Sequence, residues 1–585
     1  MIDTVPFPEY PRPMLHREGW YNLNGWWDCA FTADAELPPA EAMQTKILVP
    51  YSPECEASGV GRTLQPGESL HYHRTFACPV VPTGGRLLLH FGAVDYTCTV
   101  RVNDHVVGSH RGGYWPFSLD ITEALRPGMN DLWVTVQDPT GNGVQARGKQ
   151  TLTPGGMFYP AQSGIWQTVW LEPLQPVYIT DLRLMPDYDS RTVTVQLETN
   201  TPAAAAVEIF ADGVPVAKTE LDAGTEKITL AIPEAAFHPW SPESPFLYTV
   251  TATLAVGDRV ESYFALRSWQ AVRDGRGVLR FFLNGKPILL NGLLDQGYWP
   301  QGLYTPPSDA AVVKELEQVK ALGFNLLRKH AKIEPQRWYY HCDRLGLVVW
   351  QDMVSGGTPS KLWFVTYLTN VLQPLLRKFP DGAPFYGLLS RPDAASRDLY
   401  REELNATVDA LACHPCIGCW VPFNEGWGQF DASKATARLR VLDPGRLIDE
   451  ASGWFDQGGG DVDSRHNYFY PLRVRPGRRT VALTEYGGIA FPVAGHLTAD
   501  KTYGYGTARD SADMAARYEK LQCETVLPQL ARGLSALVYT QLTDVEEEVN
   551  GLFTYDRAVL KLPADRVRAI NDRLYAAFDA CVRSE

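Results

Sequence analysis

Cys416-Ile-Gly-Cys-Trp-Val-Pro-Phe-Asn-Glu425 and Thr480-Val-Ala-Leu-Thr-Glu485, the second running on into Tyr486-Gly487-Gly488, decide the reading of this chain. Each is a short apolar stretch that stops on a carboxylate and enters a Gly-containing turn. A parallel barrel presents its reactive groups in this way, on loops at the C-terminal ends of its strands. Two carboxylates on one face are what glycoside hydrolysis needs, one as acid/base and the other as nucleophile or base. Singly, an acid at a strand end is more often solvated or caps the next helix; as a pair in this setting, Glu425 and Glu485 are the expected catalytic residues.

The surrounding chain has the size for such a barrel and more. Its 585 residues exceed what one core supports and suggest three or four domains. The composition, 45% hydrophobic and 21% charged, is that of a globular protein rather than a disordered one. A net charge of −13 and a pI near 5.5 argue against a nucleic-acid partner, which requires a basic surface. No run of 18 apolar residues is present, so no membrane span is expected. The first residues, Met-Ile-Asp-Thr-Val-Pro-Phe-Pro-Glu-Tyr, lack the basic and apolar regions of a signal peptide, which favours a cytoplasmic location. Ten cysteines in a chain this long make no disulfide framework. Cys413, Cys416 and Cys419 have the spacing of a metal site but no evident fourth ligand, and their apolar setting suits packing better. Neither metal nor cofactor is expected.

Two all-β regions precede the barrel. Alternating runs at 86–91, 99–102, 131–136 and 167–171, punctuated by Gly, Pro and Asp, predict a first β domain over residues 1–176. Runs at 193–197, 206–210, 228–230 and 248–254 predict an immunoglobulin-like sandwich over 177–270. From 271 to 585 strands alternate with helices, which implies a parallel sheet. Strands are expected at 287–294, 325–328, 347–350, 416–425, 446–449, up to 468, 480–485 and 536–541. The helices between them include one capped by Ser308, with Val312, Val313, Leu316, Val319 and Leu322 on one stripe. Others are expected over 336–345, 398–412, 511–532 and 567–578. Eight strands in about 300 residues are enough to close a (β/α)8 barrel. The Gly-, Pro- and Ser-rich stretch 355–396 reads as an insertion after strand three that borders the site.

These features resemble glycoside hydrolase family 2, over residues 15 to 585. Arg101-Val-Asn103, Gly112-Gly-Tyr-Trp-Pro-Phe117, Asp120-Ile-Thr122 and Ser163-Gly-Ile-Trp-Gln-Thr-Val-Trp-Leu-Glu172 match the family's first domain. Trp240-Ser-Pro-Glu-Ser-Pro-Phe-Leu-Tyr248 matches its second, and Phe282-Leu-Asn-Gly-Lys-Pro287 the entry to its barrel. His414-Pro415 with Asn424-Glu425 resembles the acid/base segment, and Thr484-Glu485-Tyr486-Gly487 the nucleophile segment. The resemblance implies a jelly-roll domain, an immunoglobulin-like sandwich and a catalytic barrel, acting as a retaining exo-β-glycosidase on an oligosaccharide or other glycoside. A homo-oligomer is compatible with it.

In that scheme Glu425 protonates the leaving oxygen and Glu485 attacks the anomeric carbon, kept ionised by hydrogen bonds from Tyr468 or Arg328. Asn424 would donate to the 2-hydroxyl. Arg328 could equally be a barrel ion pair, and Tyr468 equally core. Trp299, Trp350 and Trp427 fall at or just after barrel strand ends, where a flat face could lie under a sugar ring, or could be wall. Asp295, His330, Lys332, His466, Gln541 and Asp544 also stand at strand ends and could bind hydroxyls.

Three departures bear on the sugar. Arg328-Lys-His-Ala-Lys-Ile333 replaces the Arg-x-Ser-His-Tyr-Pro segment that many members carry after strand two, and Trp350-Gln-Asp352 resembles the mannosidase branch. The loop after strand eight lacks the Asn-x-Lys with which β-glucuronidases hold a carboxylate. The resemblance therefore implies a neutral glycone, first a β-galactoside, that activity being abundant in the family. β-Mannosides, β-galactofuranosides or arabinosides, and β-glucuronides remain alternatives within the family. A metal-dependent hydrolase on the same barrel would want a His-x-His where Leu294-Asp295-Gln296 stands. A non-catalytic carbohydrate-binding protein would be expected to have lost a carboxylate, and both are present.

Overall fold

The protein is described here by a computed structural model covering residues 5–582. In the first domain a six-stranded antiparallel sheet, built on Ser69–Ala77 and Met129–Gln137, faces a four-stranded one built on Arg86–Phe91 and Val169–Leu174. Period-two alternation turns Leu70, Tyr72, Val100 and Val134 inward from one sheet against Leu89, Phe91 and Leu171 from the other. The second domain packs a three-stranded sheet containing Thr192–Thr199 on a four-stranded one containing Ala205–Ala211 and Tyr248–Leu254. Val193, Val195, Val207, Ile209 and Val250 form its core. This is the jelly-roll and immunoglobulin-like pair expected.

A small antiparallel sheet, Trp269–Arg273, Leu279–Leu283 and Lys286–Pro287, links the sandwich to the barrel. Pro287, expected to open the first barrel strand, instead pairs with Phe282 in this sheet. Proline has no N–H for a central ladder, and the strand begins three residues later.

The barrel strands are β1 Leu290–Asp295, β2 Leu326–Lys329, β3 Val348–Asp352, β4 Ile417–Val421, β5 Leu447–Ile448, β6 Val462–Asn467, β7 Thr480–Gly487 and β8 Leu534–Thr540. They form one parallel sheet in the order β5-β4-β3-β2-β1-β8-β7-β6. The β5–β6 seam is joined at Asp461, whose backbone N–H donates to Ile448 O at 2.8 Å and whose carboxylate accepts from the Ile448 N–H at 2.8 Å. The helices are α1 Asp309–Ala321, α2 Gln336–Leu345, α3 Ala394–Leu411, α4 Ala432–Leu442, α5 Ser511–Lys520 and α6 Ala564–Val582. Ser308 caps α1 by accepting from the Ala311 N–H, and the αL Gly346 ends α2. The single helix expected over 511–532 is interrupted by a wide turn at Leu521–Val526, followed by Pro528. The stretch after β3 folds into short helical turns, and its Phe364, Val365 and Leu389 pack on Trp427, Trp454 and Phe455 beside the barrel mouth. Among the described residues no helix is long and apolar enough to cross a membrane.

Candidate active site

The two glutamates reach the mouth by different routes. Glu485 lies inside β7, where register shifts against both β6 and β8 mark bulges that turn its side chain into the barrel. Glu425 lies beyond β4, which stops at Val421, so the strand does not end on the carboxylate as expected. Pro422 cannot donate to a ladder. The chain then bridges to Ser452, whose carbonyl accepts from the Glu425 N–H at 3.0 Å. Glu425 has φ +51°, a left-handed conformation costly for a side-chain-bearing residue and common at functional sites.

One oxygen of each glutamate and a ring nitrogen of His466 lie within 4.8 Å of one another. His466 Nδ1 is 2.8 Å from Glu425 Oε1, and its Nε2 is 3.5 Å from Glu485 Oε1. Tyr468 donates its hydroxyl to Glu485 Oε2 at 2.7 Å, and Arg328 Nη1 donates to Oε1 at 3.3 Å. Burial alone would raise the Glu485 pKa, but His466, Arg328 and the Tyr468 hydrogen bond pull it down to about 2. Glu485 is thus held as a carboxylate. The Glu425–His466–Glu485 trio could converge on a cation, but Arg328 already brings a fixed positive charge to the Glu485 oxygen such an ion would need.

Arg328 organises the floor. Its Nε and Nη2 donate to the two Asp352 oxygens at 2.9 and 3.0 Å, Nη2 also to Asn424 Oδ1 at 2.8 Å, and Nη1 to Thr484 O at 3.0 Å. It is therefore both the barrel ion pair and a site residue. With its oxygen so engaged, the Asn424 amide leaves Nδ2 buried and without a partner among the described residues, a donor at the site. His330 Nδ1 lies 2.7 Å from Asp352 Oδ2. Burial, then the charge of Lys149, lowers the His330 pKa against the pull of Asp352, so the ring is neutral and donates from Nδ1.

Other expected residues face elsewhere. Lys332 Nζ donates to Gly297 O, Tyr304 O and Glu334 Oε1 at 2.6, 2.9 and 2.9 Å, so its ammonium is fully engaged away from the pocket. Asp295 accepts from Lys329 Nζ at 2.6 Å and from the Gly297 N–H at 2.8 Å. Both belong to a buried ionic cluster behind β1 and β2, because the charges on this segment find one another before they find solvent. Trp350 is wholly buried, packed on Phe281 from the linking sheet at 5.9 Å. Trp299 is covered by the Arg557 guanidinium, 3.8 Å from its ring centre. Gln541 is tied to Gln296 and Asn550, and Asp544 to Lys561. Of the three tryptophans only Trp427 stands by the site, between Phe158 and His330 with ring centres 5.6 and 6.3 Å away.

Three neighbours were not singled out from sequence: Asp352 as partner of Arg328 and His330, Tyr505 stacked on Tyr468 at 3.8 Å, and Lys149 from the first domain. Asp352 at the end of β3 carried a usable signal, by the same strand-end logic as Glu485. Tyr505 and Lys149 lie in loops that only the tertiary fold brings to the mouth.

Comparison with known proteins agrees with this architecture. A family profile described as "Glycosyl hydrolase 2 galactose-binding domain-like" matches residues 63–165, and one described as "Glycosyl hydrolases family 2" matches 177–267. A β-galactosidase of Thermoanaerobacter pseudethanolicus is 24% identical over 439 residues, 72% of this chain and 54% of that one. A putative β-glucuronidase of Formosa agariphila is 26% identical over 326 residues, 52% of this chain and 38% of that one. The chain thus spans about half or less of the length of these curated relatives. Among solved structures, a β-galacturonidase from Eisenbergiella tayi bound to galacturonate superposes with TM-score 0.68 at 19% identity, covering 97% of this chain and 99% of the other. A Bifidobacterium dentium β-glucuronidase complexed with coumarin-3-O-glucuronide gives 0.70 at 19%, covering 98% of each. At such identities these two share the fold. Jelly roll, immunoglobulin-like sandwich and (β/α)8 barrel, with paired glutamates at the barrel mouth, define the class. The two profile matches place residues 63–165 and 177–267 with glycoside hydrolase family 2.

Proposed function

We propose that this chain is a retaining exo-β-glycosidase, with Glu485 as nucleophile and Glu425 as acid/base. The observation that carries the reading is the close pair of carboxylates, with oxygens within 4.8 Å and the pKa of Glu485 held down to about 2. Retaining enzymes set their carboxyl groups roughly 5–5.5 Å apart, whereas inverting ones leave room for a water at about 6.5–9.5 Å. Glu485 attacks the anomeric carbon while Glu425 protonates the departing oxygen; Glu425 then takes the proton from the incoming water. Asn424 Nδ2, adjacent and without a partner among the described residues, donates to the 2-hydroxyl, a contact that strengthens as the ring gains oxocarbenium character.

A neutral glycone, first a β-galactoside, fits the barrel loops, whose cations Lys329, Lys332, Lys561 and Arg557 are each paired with a carboxylate. An anionic glycone is the second reading, favoured by Lys149. The test is a panel of 4-nitrophenyl β-glycosides, pyranose and furanose, neutral and acidic, run on wild type and Glu485→Gln, with the anomer of the first product read by NMR. Turnover of a β-glycoside to a β-configured product, lost in Glu485→Gln, is expected. Sugar binding without turnover of any member would instead identify a carbohydrate-binding protein.

A further inference from the structure

Lys149 reaches the barrel mouth from the jelly-roll domain on a tightly seated segment. The N–H groups of Arg147 and Gly148 both donate to Ser355 O, just beyond β3, at 2.9 Å each. Gly148 has φ +60°, and a Cβ there would fall 2.4 Å from Ala331 O in the loop after β2. Only glycine permits so close an approach. The side chain that follows is therefore placed by two barrel loops at once.

Lys149 is 7% exposed, yet its ammonium has neither a hydrogen bond nor an ion pair among the described residues. It faces the rings of Tyr159 and Trp427, with centres 5.4 and 5.8 Å away. Ring faces attract a cation but accept none of its three N–H donors in the way an oxygen does. Glu548, behind Tyr159, is already taken by the Tyr159 hydroxyl and by Asn550. The buried lysines of the barrel, Lys329, Lys332 and Lys561, each have a carboxylate within 2.9 Å. An ammonium left without a counter-ion beside the barrel mouth keeps its three N–H donors open to an anionic ligand, which the paired lysines do not.

The position indicates which part of a ligand it would meet. Contacts run from Glu485 to Arg328, to Asp352, to His330, and the charge of Lys149 acts on His330. Lys149 thus stands on the Trp427 side of the mouth, with Arg328, Asp352 and His330 between it and the nucleophile, where ring positions of a bound sugar other than the anomeric carbon would lie.

We infer that Lys149 is a specificity-determining residue that binds an oxyanion on the terminal sugar, a carboxylate or a sulfate. The inference rests on the retaining-glycosidase reading and takes up its second alternative, the anionic glycone, in place of the neutral one. The jelly-roll domain then supplies the positive charge that the loop after β8 lacks.

The experiment compares 4-nitrophenyl β-D-galactoside with the corresponding β-D-galacturonide and 6-sulfate, and β-D-glucoside with β-D-glucuronide, on wild type, Lys149→Met and Lys149→Arg. A hydrogen bond to a charged group corresponds to roughly thirtyfold in affinity. Wild type should therefore prefer one acidic substrate over its neutral counterpart by about that factor in kcat/KM, expressed mainly in KM. In Lys149→Met the ratio should fall toward one, and Lys149→Arg should keep most of it. A lead for the uronides identifies a carboxylate, and a lead for the 6-sulfate identifies a sulfate ester. A wild-type preference for neutral sugars would overturn the inference, as would equal losses on acidic and neutral substrates in Lys149→Met. If none of these glycosides is hydrolysed, the glycosidase reading fails on its own account. Calorimetry of free D-galacturonate and D-galactose 6-sulfate against D-galactose then decides Lys149: acid binding lost in Lys149→Met supports it, and equal or absent binding overturns it.

Discussion

The Tyr468 hydroxyl, one residue past the end of β6, donates to Glu485 Oε2 in the neighbouring strand β7 at 2.7 Å. A hydrogen bond to the ionised form lowers a carboxyl pKa, so Tyr468→Phe should raise that of Glu485. The acidic limb of kcat/KM should move to higher pH, read from a pH–rate profile with an aryl glycoside. An unmoved limb would mean that His466 and Arg328 alone keep Glu485 ionised.

The two glutamates should fail differently. Glu485→Ala should abolish turnover, with no rescue by azide that retains configuration. Glu425→Ala should still form the glycosyl-enzyme from substrates with good leaving groups, and azide should return a β-glycosyl azide, because only the acid/base is dispensable when the leaving group needs no proton. General acid/base help is worth about 10²–10⁴-fold, which sets the expected loss for poor leaving groups. The opposite pattern would exchange the roles.

Glu485 should also leave a mark on stability. Its pKa falls from 4.5 to about 2 on folding. The unfolded chain therefore binds the proton more readily, and the stability this group contributes is fully present above 4.5 and lost as pH falls through about 2. Denaturant titrations of wild type and Glu485→Gln should give stabilities that converge over that window. Parallel curves would show that the group is not so depressed.

Arg328→Met should be severe. It leaves Asp352 buried without its bidentate partner, and breaking a buried pair in this way costs about 3–5 kcal/mol. The melting temperature should drop and activity should collapse together. Near-wild-type stability would mean that Asp352 is protonated or hydrated in the fold.

Lys332→Met should lower stability by about 1–3 kcal/mol, through the loss of three buried hydrogen bonds, without altering the acidic-to-neutral selectivity ratio. A changed ratio would place Lys332 in the pocket after all.

Much of this arrangement was legible before any coordinates. Apolar period-two runs fix strands, a Ser with a 3.6-residue apolar stripe fixes α1, and strand-end acids single out Glu425 and Glu485, because these are local rules of backbone hydrogen bonding and burial. The clustering of Arg328, Asn424, His466 and Tyr468 around those acids follows from one barrel end collecting the strand C-termini. The direction of each side chain was not legible. Residues Asp295, Lys329, Lys332 and Glu334 carry four charges that a strand-end rule would send to the pocket, and they neutralise one another behind it.

By itself, then, the sequence carried the order of two β domains and a barrel, the resemblance to glycoside hydrolase family 2 and the expectation of Glu425 and Glu485 as the catalytic pair, since each depends on residues near one another in the chain. The tertiary structure decided where charge is left over. Lys332 is quenched by a glutamate two residues away and by two carbonyls. Lys149, 278 residues before the barrel residue whose ring it faces, Trp427, reaches the mouth without a partner among the described residues. Pairing of buried charges is a matter of ångströms in space, and no spacing along a chain states it.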